Sequence, residues 1–178
     1  MDGLSIQVHP LVIAGFGADH DGDAMGIHVP VTEKGVEEAK RLLAVHPDNL
    51  RNPGTGKLMV LPIREHVLGL YRLTLPGEQK HLSFSSAGEA REAAKKNQIH
   101  YNDEVTIAGQ RTSLGRALVN ALLPQEHRDS SRVFDSKGLG EVARRIADTH
   151  PHDFGKIMND LKDLGAEHAF KSGTTVTF

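Results

Sequence analysis

The chain has 178 residues, a formal net charge of −2, 38% hydrophobic and 25% charged residues, so it reads as a globular protein able to bury a core in one domain or two small ones. It has no Cys, which excludes a disulfide framework, a thiolate metal site and a cysteine nucleophile. Near-neutral charge, no Trp, two Tyr and six Phe speak against a bulk-electrostatic nucleic-acid binder or a base-stacking platform.

Taken in chain order, residues 6–8 and 11–16 are short apolar runs rich in branched residues and are expected to be buried strands. Gly17-Ala18 leads into an acidic loop, and 25–31 reads as a further strand with Pro30 at its close. Thr32 is a candidate N-cap for a helix whose apolar stripe is Val36, Ala39, Leu42 and Leu43, stopped by Pro47. Asn52-Pro53-Gly54-Thr55-Gly56 is a turn signal. A strand is expected over 58–63 and a helix over 65–73. Ser86 with Glu89 has the capping-box pattern and opens a helix to about 97. A strand over 99–108 and helices over 113–122, 139–149 and 154–164 follow, with a short helix over 166–171. Lys95-Lys96 and Arg144-Arg145 are expected on solvated helix faces. No apolar run approaches the roughly 20 residues needed to cross a bilayer. The N-terminus lacks the basic and apolar regions of a signal peptide, so a cytoplasmic location without a membrane partner is expected.

The chemistry concentrates in Asp19-His20-Asp21-Gly22-Asp23. Three carboxylates at alternate positions repel one another unless a cation joins them, and oxygen donors suit Mg²⁺. A calcium loop of the EF-hand type fails, because its required Gly is Ala24 and its bidentate Glu is Pro30. A phosphate loop at Gly54-Thr55-Gly56-Lys57 fails too, since Arg51 and Leu58 stand where Gly and Ser or Thr are needed. His9, His20 and His28 offer a histidine-ligated transition metal as a rival. A solvated acidic turn is the other, because Asp and Gly form turns unaided. Spacing alone leaves the turn and the metal site open.

The flanks carry more. His9-Pro10-Leu11-Val12-Ile13-Ala14, the acidic loop, and Met25-Gly26-Ile27-His28-Val29-Pro30 resemble the active-site signature of the largest subunit (bacterial β′) of multisubunit DNA-directed RNA polymerases. Glu38-Ala39-Lys40-Arg41-Leu42 is similar to the helix that follows that signature. Asn49, Pro53 and Gly56 match its Asn-x-x-x-Pro-x-x-Gly turn. Val67-Leu68-Gly69-Leu70-Tyr71, with Leu73-Thr74, is close to the family's Val-Leu-Gly-Leu-Tyr-Tyr-Leu-Thr. Thr112-Ser113-Leu114-Gly115-Arg116, then Asn120 and Leu123-Pro124, resembles a later family segment. Leu161 to Gly165 and Ala169-Phe170-Lys171-Ser172-Gly173 resemble the close of the same region.

The resemblance implies an α+β fold: the C-terminal part of a double-psi β-barrel carrying the acidic loop over 1–48, then a mixed, mainly helical pore domain over 49–178. It implies that Asp19, Asp21 and Asp23 are the catalytic metal ligands. They would hold a Mg²⁺ that activates the RNA 3′ hydroxyl for attack on an incoming nucleotide, with a second Mg²⁺ arriving on the triphosphate. Implied partners are the remaining β′ portion, β and α subunits, with DNA template, RNA product and NTPs in the assembly. The chain would be catalytic only with other subunits. The alternative is a non-catalytic relic or regulatory module that docks on a polymerase. Four positions depart from the family pattern: Gly17 stands at its Asn, His20 at its Phe, and Arg64-Glu65 at its Gln-Asp. Such drift is expected of a divergent enzyme, a viral one included, for which the location would be host cytoplasm.

Overall fold

A computed structural model describes residues 6–19, 21–43, 45 and 47–173. Its helices are α1 (Ile13–Phe16), α2 (Glu33–Leu42), α3 (Glu65–Thr74), α4 (Ala87–Lys95), α5 (Leu114–Ala121), α6 (Ser136–Thr149) and α7 (Phe154–Lys171). The strands β1 (Gln79–Phe84), β2 (Glu104–Ile107) and β3 (Gln110–Ser113) form one sheet in that order, β1 parallel to β2 and β2 antiparallel to β3. The fold class is α+β, as expected.

The helices begin where side chains can take up free backbone N–H groups. Thr32, Ser86, Ser113 and Asp135 each accept from the amide three residues on, at 3.1, 3.2, 3.2 and 2.6 Å. The capping box at α4 is shifted by one residue: the Glu89 carboxylate accepts from the amide of Ser85 at 2.7 Å, not from that of Ser86.

The main core lies between α3, α6 and α7, with Leu70, Leu73, Val142, Ile146, Phe154, Met158 and Leu161 at its centre. The α3–α7 crossing is the most extensive helix contact, and it depends on two glycines. A Cβ on Gly69 would collide with the Gly165 carbonyl, and one on Gly165 would collide with the carbonyl of His66. A second, smaller core joins Ala90, Ala93 and Ala94 of α4 to Val105, Ile107 and Leu114. There α4 is the crossover that parallel pairing of β1 with β2 requires.

Two strands do not announce themselves in the sequence. β1 is an edge strand with a mostly exposed, polar sequence and no apolar alternation to mark it. β3 returns from β2 through Ala108-Gly109, whose φ values are 51° and 80°. This is a primed two-residue hairpin, which ordinarily calls for Asn-Gly or Asp-Gly, so Ala108 hides it. The short helix expected over 166–171 is the end of α7.

The N-terminal expectations need correction. Residues 11–16 are helical, not a strand: a 3₁₀ turn over Pro10–Val12 runs into α1. Pro10 pre-sets the first helical position, the His9 imidazole takes up the Leu11 amide at 3.3 Å, and Gly17 stops the helix at φ 61°. Residues 6–8 and 25–31 belong to no ladder, and 58–63 contributes only an isolated bridge from Leu58 to Arg51. A strand exists through its partner, and among the described residues no strand lies beside these segments to supply one. The expected barrel is therefore not formed by the described residues around the loop. The α2 stripe is also unpartnered at its end, with Leu42 and Leu43 exposed.

Candidate metal centre

The acidic loop hangs from an anchored base. Leu11 is buried in the main core, and the His9 Nε2 faces Asn159 Oδ1 of α7 at 3.2 Å. The amides of Gly17 and Ala18 return to the carbonyls of Ala14 and Ile13 at 3.2 and 3.3 Å, closing α1 as the chain turns away. Asn is, after Gly, the residue that best tolerates this left-handed backbone. Gly17 thus preserves the geometry open to an Asn at that position while lacking its amide.

Within the loop, Asp19 Oδ1 accepts from the Asp21 amide at 3.2 Å and Asp23 Oδ2 accepts from the Asp19 amide at 3.1 Å. These two bonds curl five residues back on themselves. Gly22 has φ 115°, and nothing lies within 4 Å of where a Cβ would stand, so its requirement is conformational rather than steric. The result brings one carboxylate oxygen of each of Asp19, Asp21 and Asp23 within 4.8 Å of one another, all three side chains exposed. Among the described residues no Lys or Arg forms an ion pair with them.

The set fits a hard divalent ion. Oxygens on opposite sides of an octahedral Mg²⁺ are about 4.2 Å apart, at about 2.1 Å each from the ion. The negative charge that no Lys or Arg among the described residues pairs with is what such an ion neutralises.

Two members of the histidine rival, His9 and His28, do not join the carboxylates. Both ring nitrogens of His9 are occupied, Nδ1 by the Leu11 amide and Nε2 by Asn159. His28 is exposed and lies outside the carboxylate group, and His20 lies outside the described residues. The segment 52–56 is a turn, as expected: Asn52 Oδ1 accepts from the amides of Gly54 and Thr55 at 2.9 and 3.0 Å, and Gly56 has φ 66°. Beside the loop, a cleft of about 930 Å³ runs from Val8 and Val12 past Asp23 to His28. Spacing in the sequence does not reveal a second group of ligating side chains, Glu126, His127 and His150, which two elements remote in sequence bring together.

Known proteins are similar to this sequence. Residues 1–45, which hold the loop, match the family model described as RNA polymerase Rpb1, domain 2. The chain is 33% identical to the DNA-directed RNA polymerase subunit beta′ of Kocuria rhizophila over 202 aligned residues, covering 99% of the chain and 16% of that subunit. It is 34% identical to the subunit beta′ of a Thermotoga species over 194 residues, again covering 99% of the chain but 11% of the relative. The subunit beta′ of Kineococcus radiotolerans is 32% identical over 205 residues. The chain therefore spans less than a fifth of the length of the curated relatives it matches. Along nearly all of its own length it is a β′-type segment, and it belongs to the family of RNA polymerase largest subunits.

Proposed function

We propose that this chain is the catalytic segment of a DNA-directed RNA polymerase largest subunit, with Asp19, Asp21 and Asp23 as the Mg²⁺ ligands for nucleotidyl transfer from NTP to an RNA 3′ end. The observation that carries it is the convergence of three exposed carboxylates within 4.8 Å, inside the segment that matches the family model. Bound Mg²⁺ supplies Lewis-acid chemistry, lowering the pKa of a coordinated hydroxyl and offsetting charge on phosphate oxygens.

The chain's own residues present the ligands. Asp19 and Asp23 each commit one oxygen to the loop backbone and keep the rest of the carboxylate for the ion. Gly22 lets the chain reverse between Asp21 and Asp23, and Leu11 with His9 fixes the base of the loop to the core. On this reading, residues 1–48 are the end of the active-site domain and 49–178 the pore domain.

The segment works only with partners: the rest of β′, β and α, on template DNA with RNA and NTPs, in the cytoplasm of the cell or of a viral host. Support comes from the exposed apolar residues around the loop, Phe16, Ile27, Val29, Val31 and Leu43. They suit burial against barrel strands supplied by other chain segments. A non-catalytic module docking on a polymerase would share that surface. It would not need three neighbouring carboxylates whose charges repel one another.

The test is assembly of the chain with its cognate subunits and assay of templated RNA synthesis. Asp19→Ala, Asp21→Ala and Asp23→Ala are each expected to abolish nucleotide addition, and retained synthesis in any of them sinks the assignment. The isolated chain is expected to bind Mg²⁺ weakly and to synthesise no RNA from a template.

A further inference from the structure

We propose that Glu126, His127 and His150 form a second metal site, for a Zn²⁺-type transition-metal ion, separate from the acidic loop. Glu126 and His127 lie on a 3₁₀ turn, Gln125–His127, set by Pro124. His150 is the C-cap of α6, held there by its own amide, which donates to the Ile146 carbonyl at 2.7 Å. One ligating atom from each of the three side chains lies within 4.8 Å of the others, and both histidines are half-buried.

Thr149 organises the group. Its hydroxyl faces His127 Nε2 at 2.7 Å and His150 Nδ1 at 2.9 Å, and donates to the Arg145 carbonyl at 2.9 Å. A hydroxyl has one proton. With that proton on Arg145, His150 Nδ1 donates to Thr149, and in the neutral imidazole the lone pair is then on Nε2. That Nε2 lies 3.3 Å from Glu126 Oε1. A lone pair and a carboxylate oxygen at this distance are held together by a cation shared between them, and a metal ion fills that role as a proton does. Ligands about 2.0–2.1 Å from a tetrahedral Zn²⁺ are about 3.4 Å apart, so this edge is already of the right length.

Three further features suit a transition metal. A ring N–H engaged by a neighbouring oxygen is the usual way a metal-binding imidazole is oriented. Imidazole with one carboxylate favours Zn²⁺, Cu²⁺ or Ni²⁺ over Mg²⁺. The site also sits at the C-terminal, negative end of the 14-residue α6, where a cation is stabilised. Three protein ligands leave a fourth position for water or for a group from a neighbouring molecule.

The experiment is a calorimetric titration of the metal-stripped 178-residue chain with Zn²⁺ in excess Mg²⁺, repeated with Co²⁺ to read the visible absorption of a tetrahedral site. One ion per chain is expected. His127→Ala and His150→Ala should each weaken binding at least about tenfold, and Thr149→Val by roughly ten- to a hundredfold through lost orientation. The triple variant Asp19→Asn, Asp21→Asn, Asp23→Asn should leave the Zn²⁺ isotherm unchanged. In the unsubstituted chain, the ring-proton NMR signals of His127 and His150 should shift together on adding Zn²⁺, a result that needs no variant to fold. Unshifted signals, unaltered binding in His150→Ala, or loss of Zn²⁺ binding in the Asp triple variant each overturn the proposal. A proton alone would then be what lies between Glu126 and His150.

Discussion

Thr74 ties together more of the interior than its size suggests. It is fully buried, donates to the Leu70 carbonyl at 2.8 Å and accepts from the Phe134 amide at 2.9 Å, while its own carbonyl accepts from Arg116 Nε at 3.1 Å. Replacing the hydroxyl with a methyl strands a buried N–H. Thr74→Val is therefore expected to cost about 1–3 kcal/mol, the cost of an unsatisfied buried donor. Thr74→Ser should recover most of it, both read from urea unfolding midpoints. Asp103 makes a comparable case with charge. Burial alone would raise its carboxyl, but the Lys80 ammonium at 2.7 Å and the His100 amide at 2.8 Å outweigh it and hold the group below the ordinary carboxylate value. A depressed folded value means that this contribution to stability is complete above about pH 3.9 and is lost as pH falls through the folded value. Asp103→Asn should accordingly flatten the acid limb of the stability profile below about pH 4.

At the scale of elements, helix packing rests on where side chains are missing. Gly69 and Gly165 let α3 and α7 touch backbone to backbone, and Gly115 does the same for α5 against the Leu73 carbonyl. A methyl at Gly69 meets backbone that cannot step aside. Gly69→Ala should destabilise the fold by at least about 1–3 kcal/mol, the usual cost of overpacking. Gly140, inside α6 with nothing within 4 Å, is the control. Gly140→Ala should stabilise by about 0.4–1 kcal/mol by restricting the unfolded chain. Thermal unfolding of the two variants side by side checks both signs.

For the molecule as a whole, two properties follow from what is buried and what is not. Burial lowers the proton affinity of His168, which stands edge-on to Tyr101 with ring centres 4.7 Å apart, and Glu167 offsets this only in part. The unfolded imidazole takes up a proton near about pH 6.5, before the folded one does. Stability should thus fall as pH drops from about 6.5 through the lower folded value. His168→Gln should remove that step from a plot of unfolding midpoint against pH. The second property is the apolar surface around the loop, where Val31 is 92% and Phe16 67% exposed. Such a surface promotes association. Phe16→Ser with Val31→Ser should reduce self-association in sedimentation experiments while leaving the unfolding midpoint of the α3–α7 core in place.

The features legible from the chain before folding were local or bore a signature. Thr32 and Ser86 marked helix starts because capping is a three-residue matter. The turn at 52–56 was legible because Asn and Gly carry their turn chemistry with them. Asp19, Asp21 and Asp23 stood out by spacing, and their flanks pointed to the β′ family. Tertiary structure settled the rest, because it depended on partners distant in the chain. Residues 25–31 have the branched composition of a strand, yet pairing makes a strand, and no described neighbour pairs with them. β1 is polar and is a strand only because β2 lies beside it. Residues 11–16 were apolar enough for a strand, but Pro10 before them and Gly17 at the end made a helix the better fit. Glu126, His127 and His150 became a group only when α6 ended against the turn that follows Pro124. Local chemistry is written in neighbouring residues, whereas ladders, helix crossings and ligand clusters form only when folding brings remote segments within a few ångströms of one another.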